Sequence, residues 1–349
     1  MQIARSPSAR QKLSLNGPWK TIVDPAGPPE LQIWIFAYAT DDSQGRRGAE
    51  MLSCVTMPDC DRTYWGSLAH AYGALGPPLR PTGADIAYME GAVAAWAGLH
   101  PARPMRAALL GVTPQIAGMR WPPGTSLIAA DNSFPMVRAV WPRDLPRSRV
   151  AVCADWSALP VPESTCDLAI GDGSFSCLRY PHGFRAVAAE ARRILRADGR
   201  LMVRCYIRPR EQERPEDVVA DLLDGAIPSF HWFKLRLLMA LQESTERGVA
   251  VDAVYRFWAS QRVDETALVA QTGWDAQAVR MMELYRGKDT VYSFPTMAEL
   301  RRVLGESFAE TAISTPPQTI EECCPIWVAA PRADARRPAM ALGAAACRM

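Results

Sequence analysis

Between residues 107 and 171 four short apolar runs follow one another: AALLG (107–111), SLIAAD (126–131), VAVCA (150–154) and CDLAIG (166–171). Each gives way to glycine, aspartate or another turn former. Runs this short and this apolar suit strands buried on both faces. A different period separates them from a fifth run, RLMVRCYI (200–207). Across 181–196, Phe184, Val187, Ala191 and Ile194 recur at helical spacing, and Gly199 follows as a terminator. Ile86, Met89, Val93 and Trp96 mark an earlier helix over 85–99, which Pro101 and Pro104 end. Strands alternating with helices predict an α/β fold, a Rossmann-like mostly parallel sheet of seven strands covered on both faces.

Regularity breaks at Pro209. Residues 210–290 read as helical, with Phe230–Leu241 the most apolar piece; a helix over 296–304 and strands over 310–314 and 324–330 close the chain, the last strand antiparallel. The expected organisation is an extension of uncertain order (1–60), a core in two parts (61–209 and 291–332), a helical insertion serving as a lid (210–290), and a disordered tail (333–349). Residues 264–285 also resemble a helix-turn-helix, but Asp264, Glu265, Asp275 and Glu283 make a poor phosphate-facing surface, and helical packing is favoured.

A net charge of +2 without a basic block argues against a nucleic-acid partner, and no apolar run is long enough to span a bilayer. Nine cysteines without paired spacing, and only four histidines, predict no metal site and a reducing, cytoplasmic setting.

In an open parallel sheet, ligands gather where strands end and strand order reverses. Four features fall at such ends. Gly111 opens a loop of small residues that lets backbone approach a ligand. Asp131, twenty residues on, suits a ribose diol, because one carboxylate accepts both hydroxyl protons. Asp155 and Trp156 offer an acceptor beside a flat ring, suited to an adenine. Gly171, Asp172, Gly173 and Ser174 form a tight polar loop.

Residues 105–210 resemble the core of class I S-adenosylmethionine-dependent methyltransferases. The stretch Ala154-Asp-Trp-Ser-Ala-Leu-Pro-Val-Pro-Glu-Ser-Thr-Cys-Asp-Leu168 is similar to that family's run of an acid, a Leu-Pro, a second proline with an acid, and the fourth strand. Ala189–Leu201 resembles its following E-x-x-R helix and strand. The resemblance implies a methyl transfer from S-adenosyl-L-methionine to a small molecule. Gly111 and Thr113 would line the methionyl part, Asp131 the ribose, Asn132 and Met136 the adenosine, Asp155 and Trp156 the adenine, and Gly171 to Ser174 the sulfonium and substrate.

The first loop departs from the family's G-x-G-x-G, reading Gly111-x-Thr113-x-Gln115, and Pro122-Pro123 shorten the helix after it. That departure keeps open a non-catalytic cofactor-binding or scaffold protein of the same fold. A dinucleotide-dependent oxidoreductase would need G-x-G-x-x-G, which is missing. No catalytic base announces itself: His182 reads as a solvent-facing helix start and His231 as core. Tyr64, Trp65 and Tyr72 are candidates to close the site opposite the insertion.

Overall fold

The computed structural model describes residues 63–314 and 323–333, together with the backbone of 33–34, 39–41 and 47–49. The expected tail lies outside the described residues, as does most of the expected extension.

Seven strands carry the sheet: β1 (Arg106–Leu110), β2 (Ser126–Asp131), β3 (Arg149–Cys153), β4 (Cys166–Asp172), β5 (Leu195–Arg204), β6 (Phe308–Ile313) and β7 (Ile326–Pro331). Their spatial order is β3-β2-β1-β4-β5-β7-β6, and β7 alone runs antiparallel, paired with both β5 and β6. The Rossmann-like expectation holds, with one addition. A two-residue strand, Ile33–Trp34, pairs parallel with Ala151 and Val152 of β3 and makes the sheet eight-stranded. Order reverses beside β1, since β1 lies between β2 and β4.

Helices α1 (Tyr64–Ala71), α2 (Gly83–Gly98), α3 (Pro114–Gly118) and α4 (Phe134–Val140) precede β3; α5 (His182–Ile194) joins β4 to β5. Apolar spacing decides which surface each buries. Phe184, Val187, Ala191 and Ile194 of α5 are buried against one face of the sheet, and Met89, Val93 and Trp96 of α2 against the other. Thr82 and Asp85 form a capping box that starts α2, satisfying two amides otherwise left without partners.

Both stretches that carried the family resemblance meet in space. Glu190 of α5 accepts a hydrogen bond from the Leu159 amide at 2.6 Å, and Arg193 donates to the carbonyls of Leu159 and Val161. One helical turn thus pins the Leu-Pro loop that leads into β4. Asp167, at the start of β4 where that loop enters, is buried and accepts from the Arg106 amide at 2.8 Å, tying β4 to the start of β1. Its role is structural.

After β5 come α6 (Pro215–Leu223), α7 (Phe230–Ala240), α8 (Val251–Ser260), α9 (Glu265–Thr272) and α10 (Ala276–Arg280), then α11 (Met297–Leu304) before β6. The region is helical as expected, interrupted by one small pairing of Val249–Ala250 with Val291–Tyr292. The turn between α9 and α10 is made by Gly273 in the left-handed region, and Leu268 and Val279 on either side are buried in the insertion's own core. That core also takes in Tyr64 and Leu68 of α1. No helix among the described residues is long and apolar enough to cross a membrane.

Candidate functional site

A cavity of about 220 Å³ opens at the carboxyl ends of β1, β2 and β4, where strand order reverses. Of the eleven residues singled out from the sequence, ten line it: Gly111, Thr113, Asp131, Asn132, Met136, Asp155, Trp156, Asp172, Gly173 and Ser174. Gly171 does not. It ends the buried part of β4, and a Cβ there would lie 2.5 Å from the Ser174 hydroxyl oxygen. Gly171 therefore makes room for Ser174, which donates to the Leu110 carbonyl at 2.8 Å and fastens the β4 loop to β1.

Gly111 leaves β1 with φ +108°, a conformation open to glycine and strained for other residues. A Cβ at that position would sit 3.8 Å from the Trp156 ring. Trp156 is held over the loop by its own ring N–H, which donates to the Ala130 carbonyl at 2.5 Å. Helix α3 after the loop is a single turn with proline at its start, so it brings few free amides to the site. The side chains that break the family's glycine pattern are accommodated. Thr113 lines the cavity beside Tyr72, and the Gln115 amide, with its oxygen turned toward Arg80, accepts from the guanidinium at 2.7 Å. The latter bond ties the loop to the segment between α1 and α2.

Asp131 commits one carboxylate oxygen to the Ser133 amide at 2.8 Å. Among the described residues its other oxygen has no hydrogen bond and no salt bridge reaches the side chain, and burial pushes its carboxyl up to about 6. A half-buried acid with one oxygen unused is an acceptor awaiting donors. Asp155 is exposed and uses one oxygen to accept from the amide and hydroxyl of Ser157, leaving the second.

Asp172 is different. The Arg204 guanidinium donates to it at 2.6 Å, and both are buried. Burial still raises its carboxyl, partly offset by the Arg204 charge. Arg204 also donates to the Pro78 carbonyl and lies 5.3 Å from the Tyr206 ring centroid. Gly173, at φ +63°, lets Tyr206 come close: a Cβ would meet its ring at 2.6 Å.

Tyr64, Trp65 and Tyr72 also line the cavity, the insertion supplies Leu235, Leu238 and Tyr285, and the segment after it supplies Tyr292 and Phe294. Sequence reading missed the insertion's lining residues and the Arg204–Tyr206 pair. The alternation of Tyr292 and Phe294 was a local signal; for Arg204 none existed. His182 is exposed at the start of α5. His231 is buried with its Nε2 at 2.9 Å from the Ala74 carbonyl, and burial lowers its imidazole to about 4. Neither lines the cavity. No cluster of metal-ligating side chains occurs among the described residues.

No family profile and no curated protein matches this chain. Among solved structures it is similar to a 1,6-didemethyltoxoflavin-N1-methyltransferase from Burkholderia thailandensis, described with S-adenosylhomocysteine bound (12% identity, 93% of this chain and 100% of the other, TM-score 0.41). It is also similar to the N-methyltransferase NodS from Bradyrhizobium japonicum, likewise in complex with S-adenosylhomocysteine (10%, 77% and 98%, 0.40). A protein described as a Zn-dependent alcohol dehydrogenase from Rhodobacter sphaeroides scores alike (11%, 76% and 98%, 0.46). Likenesses this distant carry no functional weight.

Proposed function

We propose that this chain is an S-adenosyl-L-methionine-dependent methyltransferase acting on a small molecule. One observation carries the reading: a half-buried carboxylate without a counter-ion among the described residues, Asp131, shares a strand-end cavity with a positive-φ glycine, Gly111, and an indole, Trp156. That combination fits a nucleoside carrying a compact charged tail. The Cβ-free backbone of Gly111 admits the tail, Asp131 accepts from the ribose hydroxyls with its free oxygen, and the exposed carboxylate of Asp155 and the Trp156 ring flank the base. When bound, the cofactor supplies a methyl group whose bond to sulfur breaks as the acceptor's lone pair forms the new one, with the electron pair remaining on sulfur.

This chain's residues then have three tasks. The strand-end loops orient the donor. The insertion and α1, which wall the cavity's other side, select the acceptor and exclude water; we read residues 210–290 as the lid. Proton handling is minimal. Burial pushes the Tyr64 hydroxyl up to about 12 and raises those of Tyr285 and Tyr292, so these phenols keep their protons at neutral pH. The acceptor must bring its own lone pair. We place it in the cytoplasm without a nucleic-acid partner, in keeping with a net charge of +2 and no basic block.

Titration calorimetry with S-adenosylhomocysteine tests the proposal. Wild-type protein should bind it, and Asp131→Ala should weaken binding by about tenfold or more, the loss of two charge-assisted hydrogen bonds. A wild-type protein that takes up no S-adenosylhomocysteine sinks the reading.

A further inference from the structure

The cavity divides by chemistry. Its carboxylates, Asp131, Asp155 and Asp172, all stand at the strand ends. Among the described residues, the opposite wall has no charged lining side chain and is built from Tyr64, Trp65, Leu238, Tyr285, Tyr292 and Phe294. Lys234 lies 4.7 Å from the Tyr285 ring centroid but does not line the cavity.

Three of these rings stand nearly perpendicular to one another. Tyr64 and Trp65 meet at 65°, Tyr64 and Tyr292 at 88°, and Trp65 and Tyr292 at 75°, with centroids 5.0 to 6.2 Å apart. Phe294 stacks on Tyr292 at 27°. Edge-to-face neighbours of this kind hold each ring in one orientation, and Trp65 and Tyr292, which are only partly buried, present aromatic surface to a guest. A carboxylate or phosphate against this wall would lose its hydration and gain no counter-ion. An uncharged ring loses nothing comparable.

The wall has one polar foothold. The Tyr292 hydroxyl donates to that of Tyr64 at 3.2 Å, and the Tyr285 ring packs against Tyr64 with centroids 5.6 Å apart. Two hydroxyls joined by one hydrogen bond leave one O–H proton, that of Tyr64, to donate.

We infer that the acceptor is an uncharged, planar heteroaromatic molecule whose heteroatom accepts a hydrogen bond from the Tyr64–Tyr292 hydroxyls. This rests on the methyltransferase reading above. The aromatic corner fixes the plane of the guest, and the hydroxyl pair fixes its rotation within that plane. The same wall disfavours anionic acceptors, and it offers a polyamine no carboxylate beyond those at the strand ends.

Full-length protein saturated with S-adenosylhomocysteine is titrated with three probes: 4-quinolinol, its charged analogue 4-hydroxyquinoline-2-carboxylate, and spermidine. Binding is read by calorimetry and by quenching of tryptophan fluorescence. We expect 4-quinolinol to bind about tenfold or more tightly than either other probe, and Tyr64→Phe and Tyr292→Phe each to weaken it about fivefold, the loss of one neutral hydrogen bond. Equal or tighter binding of the carboxylate or of spermidine, absence of 4-quinolinol binding, or indifference to both tyrosine variants overturns the acceptor class. Absence of S-adenosylhomocysteine binding in the first place defeats the methyltransferase reading instead, so the two failures are distinguishable.

Discussion

The guanidinium of Arg204, at the end of β5, holds the carboxylate of Asp172, at the end of β4, at 2.6 Å with both groups buried. The pair fixes the register of two adjacent strand ends at the mouth of the cavity. Breaking one partner leaves the other charge buried and alone. Arg204→Met should therefore lower unfolding stability by about 3–5 kcal/mol, read from urea melts. Adding Asp172→Leu should recover much of that loss; a double variant no more stable than Arg204→Met would argue against a paired role.

Two glycines with similar backbones should respond differently to alanine. Gly173 and Gly225 have φ of +63° and +73°, but a Cβ meets Tyr206 at 2.6 Å only at Gly173; at Gly225 nothing lies within 4 Å. Gly225→Ala should cost about 1 kcal/mol from backbone strain alone. Gly173→Ala should cost about 1–3 kcal/mol more, because the buried ring must move. Chemical denaturation of the two variants side by side measures the difference.

Asp131 should trade stability against binding. Its carboxyl lies at about 6 in the folded protein, above its ordinary value of 3.8. Stability from this group is fully present below 3.8 and is lost as pH rises through about 6. Asp131→Asn should thus stabilise the apo protein at pH 7, on the order of 1–3 kcal/mol, while weakening S-adenosylhomocysteine binding. For the wild type, affinity should fall toward about tenfold per pH unit below about 6, and that slope should vanish in Asp131→Asn. Calorimetry between pH 5 and 8, with melts of the same samples, checks both halves.

Lys234 gives the opposite pH signature. It is buried in α7, and burial lowers its ammonium from 10.5 to about 7. Such a group contributes stability above 10.5 and loses it as pH falls through about 7. Lys234→Met should stabilise the protein at neutral pH by on the order of 2–4 kcal/mol and flatten the rise in stability between pH 7 and 10. An unchanged melting temperature at pH 7 would count against an uncompensated buried cation.

Local pattern sufficed for the elements that frame the cavity. Strand β2 was legible to the residue, because Ser126–Asp131 combines a buried apolar run with a polar end. Helix α5 was legible from four apolar residues on one face, and the strand-end positions of Gly111, Asp131 and Trp156 followed from the strands. These features depend on neighbours within a few residues, where periodicity and turn chemistry operate.

Tertiary structure decided the rest. Nothing near Arg204 marks it as the partner of Asp172, since adjacency of β4 and β5 creates the contact. Tyr64 and Tyr292 are separated by more than two hundred residues, and only the packing of α1 beside the short Val249–Ala250 and Val291–Tyr292 pairing brings their hydroxyls together. The edge strand Ile33–Trp34 is likewise too short for any periodic signal and exists by pairing with β3. Sequence alone thus determined the strands, helices and the acid, glycine and indole at their ends, because backbone preference and apolar period are local. Which charges pair, which rings form the opposite wall and which strand borders which are set by long-range packing, and that depends on the whole chain at once.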